Sequence, residues 1–374
     1  MFLKQNNSCK ENQMKPKSRF IFIDIARSIA ILLMLEGHFV DDLLMDSYRD
    51  PNNSIYSTWL FIRGFTSPVF LTVTGIVFVY LLLSSSNEKY WENIRVRKGF
   101  KRAIELLFWG YLLQYYAFHV LQCIGVGILT ILSLYGLYRI IKVVPLWIYF
   151  FLMGTFIFST IIYFGTLEKT DYWPVNAPKF IQNMFHGEHS EFPILPRMGY
   201  TMYGAMFGVL MHDFKEHVKK WSFAAIVILI GLFLYTCLKD ILVYFDNMLK
   251  NETYHIYKVD WLYEPLGMVM IVLGILMLFE KVVGEIKPNL FLKMGQNTLT
   301  VFILHMIFLY GCITGFGLHQ FFAKSLTPWQ VFFGALLFWT LFFTIIHYLA
   351  TIKEKLQFIL APISKFFNKF YNIQ

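Results

Sequence analysis

The sequence predicts an all-α, polytopic integral membrane protein, a helical bundle of about ten transmembrane helices with both termini in the cytoplasm. Of its 374 residues, 57% are hydrophobic and 15% are charged, against about 45–50% and 25% in soluble domains. The apolar residues form blocks of roughly 20, the length that crosses a bilayer as a helix. Lysines and arginines cluster between the blocks instead of forming a stripe, so the net charge of +9 does not indicate a nucleic-acid partner.

Ten apolar blocks define the predicted spans, at 20–40, 59–84, 103–118, 121–141, 144–164, 195–212, 222–244, 263–283, 295–316 and 328–350. The basic segment 1–19 is then a cytoplasmic tail, 20–350 is the transmembrane domain, and 351–374 is an interfacial cytoplasmic tail in which lysines alternate with Phe and Ile. The first block has no small-residue cleavage site, which indicates a retained signal-anchor.

The orientation follows from charge. About 23 of the 33 lysines and arginines fall at one set of alternating ends of the spans, which the positive-inside rule assigns to the cytoplasm. The opposite side then holds 41–58, 165–194 and 245–262. Segment 165–194 is long for a connection without an apolar block, and we predict that it lies over a site as a lid.

The first span contains several ionisable residues, which are costly in a bilayer, at least about 2.5–3.5 kcal/mol at its centre, and therefore mark candidate functional sites. Arg27 and His38 are eleven residues apart, almost three helical turns, so they share one face about 16 Å apart along the axis. Asp24 lies on the same face and is spaced to pair with Arg27, whereas Glu36 points away from His38. The alternative is that Asp24 and Arg27 form a membrane-boundary pair and His38 is an interfacial anchor.

The second span begins with an arginine that needs an acidic partner. Arg63 lies about one turn inside the predicted outer boundary, and the acids within reach are Asp41, Asp42 and Glu36. Ser67 follows it as a second candidate to line a site, and the next residue is a proline, which predicts a kink. An interhelical ion pair without a catalytic role explains Arg63 as well.

Polar residues in later spans are further candidates to line a site: Gln122, Arg197, Tyr200, Asn297, Thr298 and His305. Each also has a structural explanation. His305 shares a face with Thr298 and can hydrogen-bond within the bundle, and the small residues Gly204 and Gly208 favour close helix packing over ligand contact.

We predict no metal site. His186 and His189 in the external segment have no third ligand near them in the sequence, and the four scattered cysteines suggest neither a zinc site nor a disulfide framework. Phosphate-loop, zinc-protease and nucleophile-elbow motifs are absent from the sequence, which weakens ATP-driven transport, zinc proteolysis and serine hydrolysis as functions.

Read together, these residues resemble the transmembrane acyltransferase superfamily. The resemblance rests on Ile23-Asp24, the spacing of Arg27 and His38, and the motifs FTSPVFLTVTG, LQCIGVGI and MGQNTLTVFILH. It is greatest to bacterial relatives of heparan-alpha-glucosaminide N-acetyltransferase, with the acyltransferase-3 O-acetylases more distant, and covers about 20–350. The chain departs from the family pattern at Ser28, where a glycine commonly follows the arginine, and at Glu36-Gly37 before the histidine.

The resemblance implies a chemistry. His38 takes the catalytic role, and Arg27 with Asp24 takes the donor-binding role. The donor is an acyl-CoA, usually acetyl-CoA, used as a co-substrate with no bound cofactor. The acceptor is a hydroxyl or amine of an envelope saccharide or lipid-linked sugar, and the expected location is a bacterial inner membrane. A neutral histidine suits proton removal at cellular pH, and the basic cytoplasmic ends suit the phosphates of CoA, although topology alone also explains those charges.

Two other function classes remain open at this stage. A secondary transporter or permease of a small polar solute would favour paired broken helices and internal repeats, neither of which is evident in the sequence. A non-catalytic membrane scaffold would bind no donor. Whether the chain forms a homodimer is also left open.

Overall fold

The computed structural model describes residues 20–85, 89–113, 117–164, 176–185, 190–250, 253–284, 286–287, 289–312 and 315–355. These residues form helices connected by short turns and, apart from two isolated bridges, no β-structure. The helices are α1 (Ile21–Leu43), α2 (Ser54–Gly64), α3 (Thr66–Leu83), α4 (Ile94–Leu113), α5 (Val120–Ile140), α6 (Leu146–Phe164), α7 (Lys179–Phe185), α8 (Ile194–Asp213), α9 (Lys215–Val218), α10 (Trp221–Leu232), α11 (Leu238–Leu249), α12 (Asp260–Val283), α13 (Leu290–Gln296), α14 (Thr298–Tyr310), α15 (Leu318–Phe322) and α16 (Pro328–His347). A π-helical stretch, Phe233–Cys237, joins α10 to α11.

The predicted all-α membrane fold is confirmed. Within the described residues, six helical segments are long and apolar enough to cross a membrane, and the bent pair α13–α14 makes up to seven. Three more predicted spans are occupied by α1, α4 and α8, which have 20–23 residues but carry charged side chains. The total of ten and the side on which the termini lie remain predictions.

Three predicted spans differ in their limits from the helices that contain them. Helix α4 begins at Ile94 and not at 103, so the basic residues of 95–102 are helical and do not lie in a loop. The second span begins at Ser54, where the side chain of Asn53 caps the helix by accepting from two backbone N–H groups. The predicted span 295–316 contains an 85° bend and its helix ends at Tyr310. Apolar blocks miss such ends because polar helix turns extend beyond the apolar residues.

The helix of the second span is interrupted where the sequence predicts a kink. Phe65 lies between α2 and α3 with φ −99° and ψ 1°, three residues before Pro68. Proline has no N–H to donate to the carbonyl of Gly64, and its ring would crowd that carbonyl in a regular helix. The break therefore separates α2 from α3 within the single span Ser54–Leu83, just after Arg63.

Helix α3 packs directly on α8, as the small residues of α8 predict. A Cβ atom added to Gly204 would lie 2.0 Å from the carbonyl oxygen of Thr72, and one added to Gly208 would lie 2.7 Å from that of Ile76. The two backbones are thus in contact, and any larger residue at Gly204 would separate them.

Helix α1 is held at both ends within a shell formed by α3, α12, α13, α14 and α16. At its start, the carboxylate of Glu280 accepts from the backbone N–H groups of Ile21 at 3.1 Å and Phe22 at 2.9 Å. At its other end, Leu44 pairs with Leu326 in one of the isolated bridges. This anchoring fixes the two ends of the α1 face that was predicted to carry the chemistry.

Candidate active site

A cavity of about 180 Å³ lies beside His38, at the end of the bundle where α1, α3 and α14 meet the connection between α4 and α5. We call it the His38 cavity. It is lined by Ala30, Met34, His38, Asp42, Arg63, Thr66, Ser67, Phe70, His119, Val120, Glu191, Phe192, Phe302, Met306 and Tyr310. Three of the predicted site residues, His38, Arg63 and Ser67, are therefore brought together.

Tyr310 orients the imidazole of His38. Its hydroxyl lies 3.3 Å from His38 Nδ1, and the carboxyl of Asp42 interacts with the same hydroxyl. A carboxylate can only accept, so the tyrosine hydroxyl donates its proton to Asp42. The tyrosine oxygen then accepts from a proton on His38 Nδ1. The proton on Nδ1 then leaves the Nε2 lone pair free to act as a base toward the cavity.

His305 lies behind His38 and away from solvent. Its ring is fully buried and lies 5.2 Å from the ring of His38 and 4.8 Å from that of Phe302, centroid to centroid. The structure thus places this candidate in the packing around His38, and it does not line the cavity.

The acidic partner of Arg63 is Asp41, one of the three predicted possibilities. The guanidinium group forms a salt bridge with the carboxylate of Asp41. The remaining acid, Glu36, instead accepts from the indole N–H of Trp59 at 2.6 Å, consistent with its predicted direction away from His38. A Cβ on Gly37 would lie 2.8 Å from Arg63 Cδ, so the glycine before the histidine gives the arginine room to cross α1.

His119 and Glu191 also line the His38 cavity, although the sequence did not predict them. His119 precedes α5, and its Nδ1 lies 2.9 Å from Glu191 Oε2. The hydrogen bond from His119 lowers the pKa of the Glu191 carboxyl. Both residues lie at predicted outer ends of spans, but nothing in the sequence indicates that segments more than seventy residues apart come together.

A second cavity, of about 280 Å³, lies further along the bundle beside Arg27. We call it the Arg27 cavity. Its lining comprises Arg27, Phe70, Thr74, Val77, Phe78, Leu81, Arg102, Leu106, Leu121, Ile124, Ile128, Thr298, Leu299 and Phe302. Arg27 Nη2 donates to Thr298 Oγ1 at 3.2 Å. Phe70 and Phe302 line both cavities, so two aromatic rings stand between Arg27 and His38.

Asp24 and Asn297 lie near the Arg27 cavity without lining it. Asp24 is buried, and its carbonyl accepts from the Ser28 hydroxyl at 2.9 Å. Ser28 Oγ also receives the backbone N–H of Gly295 at 3.1 Å. The departure from the family pattern at Ser28 therefore joins α1 to α13. Asn297 marks the bend between α13 and α14.

Three other candidates lie in the surrounding framework. The side chain of Gln122 accepts from the backbone N–H of His119 at 3.0 Å and so supports that residue from outside the cavity. Arg197 lies over the rings of Phe192 and Trp261 at 5.8 and 5.7 Å. The hydroxyl of Tyr200, which is almost fully buried, donates to the carbonyl of Leu262 at 3.0 Å. None of the three lines either cavity.

The predicted lid is described only in part. Its residues 165–175 lie outside the described residues, as do His186 and His189, the pair considered for a metal. The described end of the segment contributes Glu191 and Phe192 to the wall of the His38 cavity. No cluster of three metal-ligating side chains occurs among the residues that the structure describes.

The two cavities differ in the side chains that line them. Near His38 are carboxylates, a second histidine and an arginine, and near Arg27 are cationic side chains at the edge of an apolar cavity.

Residues 19–245 match the family model for heparan-alpha-glucosaminide N-acetyltransferase, catalytic. No match is found among curated proteins. Tyr310 and Thr298, which contact His38 and Arg27, lie beyond the matched residues.

Proposed function

Because this chain belongs to the heparan-alpha-glucosaminide N-acetyltransferase family, we propose that it transfers an acetyl group from acetyl-CoA to a hydroxyl or amine of an envelope saccharide or lipid-linked sugar. Membership makes it a membrane acetyltransferase and favours the enzyme over the transporter and the scaffold. The donor, the acceptor class and the residues below are parts of the proposal, as is a location in a bacterial inner membrane.

The observation that supports the proposal best is the setting of His38, whose Nδ1 faces the Tyr310 hydroxyl while the ring lines a cavity. His38 Nε2 removes the proton from the acceptor as its oxygen or nitrogen attacks the thioester carbonyl. The new ester or amide bond forms, the carbon–sulfur bond breaks, and CoA leaves as a thiolate that takes up a proton. General-base assistance of this kind contributes about 10²–10⁴-fold to a rate.

The donor enters through the Arg27 cavity in this proposal. Arg27 and Arg102 line it, and Arg102 also pairs with Glu105 at 3.0 Å. Both guanidinium groups suit the phosphates of CoA, since arginine pairs with phosphate through two parallel hydrogen bonds. The acylated arm then passes Phe70 and Phe302 to reach His38. Acetyl-CoA stays on the cytoplasmic side while the acetyl group reaches an acceptor at the opposite side.

The experiment that tests the function measures transfer of radiolabelled acetyl from acetyl-CoA to cell-envelope acceptors by purified protein in detergent. His38→Ala is expected to lower kcat by about 10²–10⁴-fold. Because the His38 ring packs against the rings of His305 and Tyr310, the melting temperature is measured beside kcat and the loss of activity is scored on folded protein. His347→Ala, at an exposed histidine that ends α16, is the matched control and should be fully active.

Wild-type activity in His38→Ala would remove His38 from the mechanism. Failure of the wild type to transfer acetyl to any saccharide or lipid-linked fraction, together with unaltered acetyl-CoA, would refute the proposed function itself.

A further inference from the structure

His119 belongs to none of the steps proposed so far, yet the fold holds it firmly. Phe118 pairs with Ser190 in an isolated bridge, and the carbonyl of Phe118 accepts from the backbone N–H groups of Glu191 at 3.1 Å and Phe192 at 3.2 Å. The start of α5 and the start of α8 are therefore tied together by their backbones, independently of any side chain.

The side chain of His119 has one nitrogen satisfied and one unsatisfied. Nδ1 bonds to the carboxylate of Glu191 at 2.9 Å, and since a carboxylate only accepts, Nδ1 carries the proton. In the neutral ring Nε2 is then an acceptor. Nε2 is buried and has no hydrogen-bond partner among the described residues. The residue as a whole is only 7% exposed. Buried polar groups in native proteins are normally paired, which indicates that a ligand supplies the missing donor.

The wall of the His38 cavity contains both residues of this pair. A second buried acceptor without a partner, Asp42 Oδ2, belongs to another residue of the same wall. The Glu191 side chain is 61% exposed, so the pair stands where the cavity opens to the surroundings. Among the described residues of the lining, the only lysine or arginine is Arg63, and it forms a salt bridge with Asp41. Two residues of this wall thus carry buried acceptor atoms that lack a donor, and a ligand rich in hydrogen-bond donors would satisfy them.

We infer that His119, oriented by Glu191, is the acceptor-binding residue of the His38 cavity, and that its Nε2 accepts a hydrogen bond from a hydroxyl or amino group of a sugar. This inference rests on the proposed function for the identity of the reaction, but the binding it predicts is measurable without turnover. Glu191 is a positioning residue, which acts through the orientation of the His119 ring.

The test compares two substitutions of His119 by binding of methyl α-D-glucosaminide and methyl α-D-glucoside to detergent-purified protein, measured calorimetrically. In His119→Asn the amide nitrogen replaces Nδ1 toward Glu191 and nothing replaces Nε2. In His119→Gln the amide reaches the Nε2 position and the bond to Glu191 is lost. We expect Kd for the bound sugar to rise at least tenfold in His119→Asn, with the melting temperature and the KM for acetyl-CoA unchanged, and expect His119→Gln to recover part of the affinity.

His212→Asn is the matched control. Its Nδ1 also bonds to a carboxylate, that of Asp213 at 3.1 Å, but it lies on α8 outside both cavities, and its sugar affinity should equal that of the wild type. An unchanged Kd in His119→Asn with a lowered melting temperature would make the pair purely structural and overturn the inference. Wild-type protein that binds neither sugar would overturn it as well. A third outcome separates the two proposals. If the wild type binds sugar, His119→Asn abolishes that binding, and the wild type transfers no acetyl group, the acceptor site is upheld and only the proposed function is refuted.

Discussion

Single atoms decide how His38 can act, because a histidine is useful as a base only when the correct nitrogen is unprotonated. The Tyr310 hydroxyl lies 3.3 Å from Nδ1, and the Asp42 carboxyl interacts with that hydroxyl. A carboxylate that receives the tyrosine proton makes the phenolic oxygen an acceptor for Nδ1–H. The arrangement resembles in its logic a hydrolase triad, in which an acid fixes the tautomer of the histidine, with a tyrosine inserted between them.

Tyr310→Phe removes the acceptor for Nδ1–H while keeping the ring. We expect kcat to fall about tenfold, which corresponds to about 1.4 kcal/mol and lies within the value of one hydrogen bond, with little change in either KM. Tyr203→Phe is the control because the Tyr203 hydroxyl also bonds within the bundle, to Tyr263 at 2.6 Å, but lies outside both cavities. Steady-state kinetics of acetyl transfer measure both variants, and an equal loss in the two would mean that Tyr310 serves packing only.

Arg27 provides the corresponding test of the donor. Arg27→Gln removes a charge and a bidentate donor, and a hydrogen bond to a charged group is worth about 1.5–3 kcal/mol. We therefore expect the KM for acetyl-CoA to rise at least tenfold and the KM for the acceptor to stay constant. Thr298→Val removes the partner of Arg27 seen at 3.2 Å and keeps the charge, so its effect should be smaller. An unchanged KM for acetyl-CoA with a lower melting temperature would make Arg27 an architectural residue.

Helices were predictable from the sequence where one apolar block fills one helix, as in α5, α6 and α16. The breaks within spans were harder to predict from the sequence. The break at Phe65 was signalled by Pro68, but no proline marks the bend at Asn297, where the backbone N–H of nearby Gly295 donates to Ser28 Oγ. Local sequence carries no record of a contact made with a residue 267 positions away, which explains why the span was predicted as continuous.

The contact between α3 and α8 gives a prediction at the level of paired helices. Gly204→Ala places a methyl group at a point 2.0 Å from the Thr72 carbonyl oxygen, so the helices must separate. Overpacking of this kind costs about 1–3 kcal/mol, and we expect a clear fall in the melting temperature. Gly64→Ala is the control, because nothing lies within 4 Å of its added Cβ. Equal melting temperatures for both variants would show that the contact is looser than described.

At the scale of the whole molecule, the predicted residues that line a cavity divide between the two cavities according to their height in the bundle. His38, Arg63 and Ser67 line one cavity, and Arg27 and Thr298 line the other, as helical spacing along α1 indicated. His119, Glu191 and Tyr310 could not be predicted with them, because each comes from a different part of the chain and only packing brings it to His38. The sequence thus points to α1 as the helix that the proposal makes catalytic, and the tertiary structure supplies its neighbours.

The direction of acetyl transfer depends on which side of the membrane each cavity faces. The charge asymmetry assigns the end near Lys89 to the cytoplasm and the end near Lys179 to the outside. Both lysines are exposed, so single cysteines introduced there, in a background without the native cysteines, are accessible to reagents without disturbing the core. In intact cells an impermeant thiol reagent should label Lys179→Cys and spare Lys89→Cys, and permeabilised cells should label both. Labelling of Lys89→Cys alone in intact cells would place the Arg27 cavity outside, where the cell offers no acetyl-CoA, and the donor would then have to reach His38 from the Glu191 side.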